Sequence, residues 1–163
     1  MRIFNLLFTT LFALLVGLPS PASAAGDAIK VTSIAQMEVE VTDKSGKKLL
    51  TRTPVDKAVP GNEVIFTTTF KNINNIPVNN IVINNPIPKD TEYKAGSAFG
   101  KNCEILFSVD GNVFAYAEDL MVKGDDGRQR IALPKEYTHI RWNYTAPLAV
   151  GKSAEVGFRA VIK

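Results

Sequence analysis

The sequence predicts an all-β fold, an antiparallel β-sandwich that follows a cleaved N-terminal signal peptide. Three observations point there. Apolar and polar residues alternate with the period of a strand from Ala28 onward, the alternating runs are short and separated by Gly, Pro and Asn clusters, and no long helical period follows.

The first 24 residues read as an export signal. Arg2 precedes an apolar run from Ile3 to Leu18, and Pro19-Ser20-Pro21-Ala22-Ser23-Ala24 ends in small residues spaced Ala-x-Ala, which places cleavage after Ala24. The run holds 16 residues, fewer than the ~20 that cross a bilayer, so no stable membrane anchor is expected after cleavage. The residue directly after the cleavage point is Ala25, not a cysteine that could accept a lipid. Removing 24 of the 163 residues leaves residues 25–163, a single domain of 139 residues. A chain of that length buries roughly two-thirds of its unfolded surface.

Strands are expected in order. Ile29, Val31, Ala35, Met37, Val39 and Val41 share one face of a long first strand, with Lys30, Thr32, Gln36, Glu38, Glu40 and Thr42 on the other. Lys44, Lys47 and Lys48 surround Ser45-Gly46, a hairpin tip whose lysines guard an edge. Residues 49–59 carry Pro54 in their middle and read as an edge strand or extended connection. After the Pro60-Gly61-Asn62 turn, residues 63–71 alternate again, with Val64, Phe66, Thr68 and Phe70 on one face. Seven of the fourteen residues from Asn72 to Asn85 are asparagine, which tolerates positive φ and bonds its own backbone. This stretch reads as turn, short strand over 80–84, and turn. Residues 91–94 are short and extended, and 95–101 form a loop.

A tight hairpin is expected next, with 105–109 and 112–117 joined through Asp110-Gly111. Residues 118–122 suit either a helical turn or a strand. Gly124-Asp125-Asp126-Gly127 turns the chain, and residues 132–136 suit one short helical turn. In residues 137–145, Thr138, Ile140, Trp142 and Tyr144 alternate against Tyr137, His139, Arg141 and Asn143. Ala154, Val156, Phe158, Ala160 and Ile162 define the last strand.

Composition narrows the function. Loss of Arg2 takes the basic count from 19 to 18 against 16 acidic residues, a balance of +2 that suggests no nucleic-acid partner. The single cysteine, Cys103, leaves no internal disulfide, so packing alone holds the fold; the thiol is expected to be buried rather than bridged to another chain.

Pro60-Gly61-Asn62-Glu63-Val64-Ile65-Phe66, the run from Asn74 to Ile83, and Pro86-Ile87-Pro88-Lys89-Asp90-Thr91 stand in an order that resembles the bacterial conserved-repeat domain, the domain-of-unknown-function eleven family. Phe107-Ser108-Val109-Asp110-Gly111, Tyr137-Thr138-His139-Ile140-Arg141-Trp142 and the run from Leu148 to Ala154 are similar to its stand-alone exported members. The resemblance spans residues 59–162. It implies an immunoglobulin-like sandwich in an exported or surface protein, used as a spacer or adhesive module, and it transfers no catalytic residue. Members often occur as tandem copies in an anchored chain, whereas this chain carries one copy.

No catalytic, cofactor or metal constellation stands out. His139 is the only histidine and reads as a sheet-surface residue; pairing it with Cys103 is permitted, but no orienting or oxyanion motif accompanies either. One histidine and one cysteine do not make a zinc site. Asp110, Asp125 and Asp126 lie in Gly-rich loops that suit calcium, yet also suit ordinary turns, and no EF-hand spacing occurs. No phosphate-binding glycine loop is present. Trp142 reads as core, with a sugar platform as the sharper alternative. The expectation is therefore a non-enzymatic, periplasmic or secreted structural or protein-interaction module of the envelope, without cofactor, whose partner is an envelope or surface protein. The alternative is a ligand-binding module for a glycan or calcium. The expected docking element is an unpaired strand edge in residues 49–59 or the Asn-rich turn.

Overall fold

The computed structural model describes residues 28–163, so the export signal expected over residues 1–24 lies outside the described residues. Eleven strands follow one another: β1 (Ile29–Thr42), β2 (Lys48–Pro54), β3 (Glu63–Asn72), β4 (Ile81–Pro86), β5 (Thr91–Tyr93), β6 (Phe99–Gly100), β7 (Cys103–Ser108), β8 (Met121–Lys123), β9 (Gln129–Ile131), β10 (His139–Tyr144) and β11 (Ser153–Ile162). They form an all-β fold of packed antiparallel sheets. The larger sheet runs β2-β1-β3-β11-β5, with β6 also on β11; the smaller runs β4-β10-β7; β8 and β9 make a separate hairpin.

Alternation dictates which side chains meet between the sheets. Phe66 lies opposite Phe158 in the β3–β11 register, and their rings stack at 5.1 Å. Phe70, Val156, Phe158 and Ala160 from the larger sheet meet Ile81, Ile83, Ile140 and Trp142 from the smaller. Trp142 is 0 % exposed and stacks on Phe158 at 6.4 Å, so it is a core residue and offers no platform to a sugar. Tyr93, Phe107 and Tyr137 close one end of the core, the last two stacked at 4.6 Å.

Asparagine organises the loops at the β3 end. Asn72 is 0 % exposed, and its Nδ2 donates to the carbonyls of Ile76 and Leu148, both at 2.8 Å, while its Oδ1 accepts from Asn74 N at 2.8 Å. Asn80 takes the left-handed conformation at φ 55°. Asn84 and Asn85 belong to β4, which extends past the expected 80–84 to Pro86; Asn85 Nδ2 donates to Thr68 Oγ1 at 2.7 Å. The enrichment is thus turn and inter-sheet chemistry, and it leaves the Asn-rich stretch bonded to the fold.

Three expectations are corrected, and one left open is decided. The Asp110-Gly111 hairpin is wider than a two-residue turn: only Ala115 returns to Phe107, because Asp110 Oδ1 caps Asn112 N at 2.8 Å and Val113 N at 3.0 Å and rounds the chain into a loop. Tyr137 does not share the face of His139. The chain makes a 3₁₀ turn over Pro134–Glu136 and β10 starts only at His139, so the alternation restarts there and Tyr137 is buried in the core. Residues 95–101 contain β6, and Phe99 packs on Gly157, where a Cβ would stand 2.5 Å from the ring. Residues 118–122 leave a turn, in which Asp119 N donates to the Tyr116 carbonyl at 3.0 Å, and enter β8 at Met121; its partner β9 carries no alternation that marks it in the sequence. Among the described residues no helix is long and apolar enough to cross a membrane.

Candidate functional site

The chemistry-bearing residues named from the sequence are held apart or consumed locally. His139 and Cys103 lie at opposite ends of the β10–β7 ladder, opposite Ser108 and Tyr144 respectively. At ~3.4 Å per residue that separates them by about 17 Å, too far for an imidazole to activate a thiol. The permitted Cys–His pairing is therefore corrected. Cys103 is half-buried, with Sγ 3.5 Å from the Lys101 carbonyl, and burial pushes its thiol pKa up, away from the reactive thiolate.

Ser108, unremarked in the sequence, stands beside His139 in register, and Asp110 follows two residues later. The three residue types of a hydrolase triad are thus close together, but their bonding is that of a turn. Ser108 is 0 % exposed; its Oγ donates to Asp110 Oδ1 at 2.9 Å and accepts from Gly111 N at 2.9 Å. His139 bonds Thr138 Oγ1 through Nδ1 at 2.9 Å and lies against Gly111, where a Cβ would come within 2.8 Å of its Cε1. The serine proton goes to the aspartate rather than to the imidazole, the reverse of the order that serine catalysis needs.

Two of the three aspartates suggested for calcium, Asp110 and Asp126, cap backbone. Asp110 is held below the usual carboxylate range by hydrogen bonds from Asn112 N, Val113 N and Ser108 Oγ. Asp126 Oδ1 accepts from Arg128 N at 3.0 Å in the β8–β9 turn. Among the described residues no group of three or more His, Cys, Asp or Glu is arranged to hold a metal ion.

What remains is a surface built by β1 and β2. β1 pairs with β3 only from Ile29 to Gln36, and from Gln36 to Thr42 it pairs with β2. The second half of the hairpin therefore runs past the end of β3. Its turn is rigid: Asp43 Oδ1 accepts from Ser45 N at 2.8 Å, Ser45 Oγ at 2.6 Å and Lys47 N at 3.0 Å, which also holds the Asp43 carboxyl below its ordinary range. Val41 and Leu49 lie opposite each other and exposed, and Leu50 on the reverse face is 71 % exposed. Among the described residues β2 pairs with β1 alone, so its outer edge keeps free backbone donors and acceptors.

Charge fixes this hairpin to the body of the larger sheet. Arg159 on β11 reaches Glu38 through Nη1 at 2.9 Å and Nη2 at 3.0 Å, and Glu63 through Nη1 at 2.7 Å. Arg52 joins Glu38 at 3.4 Å, and Lys94 joins Glu63. Glu38 lies just beyond Gln36, where β1 leaves β3, so Arg159 spans the point of departure. The Arg159 bonds hold the Glu38 carboxyl below the ordinary glutamate range, Lys94 and then Arg159 do so for Glu63, and both carboxylates hold the Arg159 pKa up. Sequence reasoning missed this network because Arg159 and Glu38 are 121 residues apart and meet only through strand order.

In comparison with known proteins, the chain matches no family model, no curated protein and no solved structure.

Proposed function

We propose that this chain is an exported, non-enzymatic protein-interaction module of the bacterial envelope, acting in the periplasm or outside the cell, with an immunoglobulin-like sandwich of the conserved-repeat kind. The observation that carries the reading is the β1–β2 hairpin: a rigid-turned projection with an open strand edge, exposed Val41, Leu49 and Leu50, and an Arg159 clamp that fixes its angle. An open edge recruits a partner by strand addition, in which backbone bonds supply affinity and alternate side chains supply selectivity. The immunoglobulin-like assignment is supported by two antiparallel sheets stacked over a buried tryptophan in the central strand of the smaller one. A non-enzymatic role is supported by the turn-locked Ser108, the half-buried Cys103 and its separation from His139.

The test is fractionation of cells expressing the full chain, N-terminal sequencing, and crosslinked co-purification with and without the double substitution L49K/L50K. Both side chains are exposed, so the substitution changes stability by only about 0.5 kcal/mol. The reading expects a chain starting at Ala25, recovered without detergent, whose envelope partner is lost in the variant. An intact Met1 in the membrane fraction contradicts export, and a partner retained by the variant contradicts docking through β2.

A further inference from the structure

The opposite edge of the larger sheet carries a second feature, independent of the hairpin reading. Two open hollows, of about 720 Å³ and 550 Å³, flank the 3₁₀ turn and share Lys135 and Lys163 in their linings. The first runs along β5, whose outer edge is free among the described residues, past Leu133 and Pro134; the second continues between Pro86-Ile87-Pro88 and Val109 to His139. We propose that together they form one groove that binds an extended acidic polypeptide segment of a partner protein.

Charge is the first support. Lys89, Lys135 and Lys163 are exposed and take part in no ion pair among the described residues. The acids in the second hollow are already engaged. Glu136 is gripped by Arg130 at 2.6 Å and 2.7 Å and accepts from Leu133 N at 2.7 Å, while Asp110 caps its own loop. Both carboxylates are thus engaged by groups of their own loop or by Arg130, whereas Lys89, Lys135 and Lys163 line the hollows outside any ion pair among the described residues. Glu92 in the first hollow has no ion-pair partner either, which places the acidic side chains of the ligand over the second hollow and the Lys135–Lys163 junction.

Shape is the second support. Two shallow hollows in line do not enclose a small molecule, which is ordinarily buried over most of its surface. They suit a chain that lies across them, with apolar side chains against Pro86, Pro88, Val109 and Pro134. The walls are preformed, which spares a ligand the cost of ordering them. Ile87 N donates to the Thr138 carbonyl at 2.8 Å, Thr91 Oγ1 to the Pro88 carbonyl at 2.8 Å, and Lys163 N to the Asp90 carbonyl at 2.9 Å.

The test uses fluorescein-labelled peptides of about ten residues, one alternating glutamate with valine and one alternating glutamine with valine, titrated with the chain as it exists after export and read by anisotropy. The glutamate peptide is expected to bind, to weaken with added salt, and to lose about tenfold in affinity with K135E/K163E but no more than about twofold with K44E/K47E, which makes the same charge change at the hairpin tip. His139, the only histidine, supplies a reporter: its imidazole resonances should shift along the same titration curve. Equal binding of the glutamine peptide, equal loss in K44E/K47E, an unmoved His139, or about tenfold tighter binding of polygalacturonate than of the glutamate peptide would each overturn the proposal. None of these outcomes bears on the β2 edge, which lies across the sheet.

Discussion

Replacing Asn72 by Ala tests whether the asparagine-rich stretch is architecture or binding surface. Asn72 is wholly buried, and its amide makes three hydrogen bonds of 2.8 Å, to Ile76, Leu148 and Asn74, that tie the β3–β4 loop to the chain entering β11. Alanine removes two donors and one acceptor, which breaks all three bonds; the Ile76 carbonyl and the Asn74 N–H lose their partner, while the Leu148 carbonyl keeps the bond from Val78 N. At about 1 kcal/mol per bond the loss is about 3 kcal/mol, before any cost of the cavity. For a domain of this size that lowers the melting temperature by about 10 °C. The exposed Asn79 is the control, and its replacement by Ala should stay within about 0.5 kcal/mol of the parent. Urea unfolding at fixed m-value provides the measurement. If Asn72→Ala and Asn79→Ala unfold together, the stretch does not owe its composition to loop architecture, and a surface role for the asparagines becomes the better account.

Trp142→Ala should cost ~3–5 kcal/mol, since the ring is fully buried against Phe158; a loss below about 1 kcal/mol in thermal or urea unfolding would remove it from the core. Glu38 and Glu63 titrate below the ordinary value of 4.5 in the folded chain, so their contribution is present above that value and is lost as pH falls through the lower folded values. Stability should therefore fall as pH drops below about 4.5, and Arg159→Met should flatten that limb; parallel pH profiles of the two proteins would refute the clamp. Cys103, with its pKa raised by burial, should react slowly with a disulfide reagent in the native state and quickly in denaturant; equal rates would contradict its placement.

Much of the fold is legible in the sequence because local alternation decides it. β1, β3 and β11 appear where Ile29 to Val41, Val64 to Phe70 and Ala154 to Ile162 keep a period of two, and Trp142 falls on the buried face for the same reason. Alternation puts Tyr137 on the wrong face because a 3₁₀ turn shifts the frame just before β10, and no alternation signal reports where a strand restarts. Asp110-Gly111 suggests too tight a turn because the same dipeptide serves a two-residue turn and an aspartate-capped loop, and the difference lies in which amides Oδ1 reaches. The candidate surfaces were only half legible. Pro54 and the lysine-flanked tip mark an edge strand, but its projection past β3 depends on where two ladders end. The Arg159 clamp and the lysine groove depend on strand order, which brings together residues far apart in the chain.

The central claim, that the β2 edge docks on another protein, is tested most directly by placing a photocrosslinking amino acid at Leu50 and irradiating cells that express the full chain. Leu50 is exposed beside the free edge, so the account predicts one discrete adduct with an envelope protein, and none from the same probe at the exposed Asn79 at the far end of β3. Adducts of equal yield from both positions, or none from Leu50 in the native envelope, would contradict it.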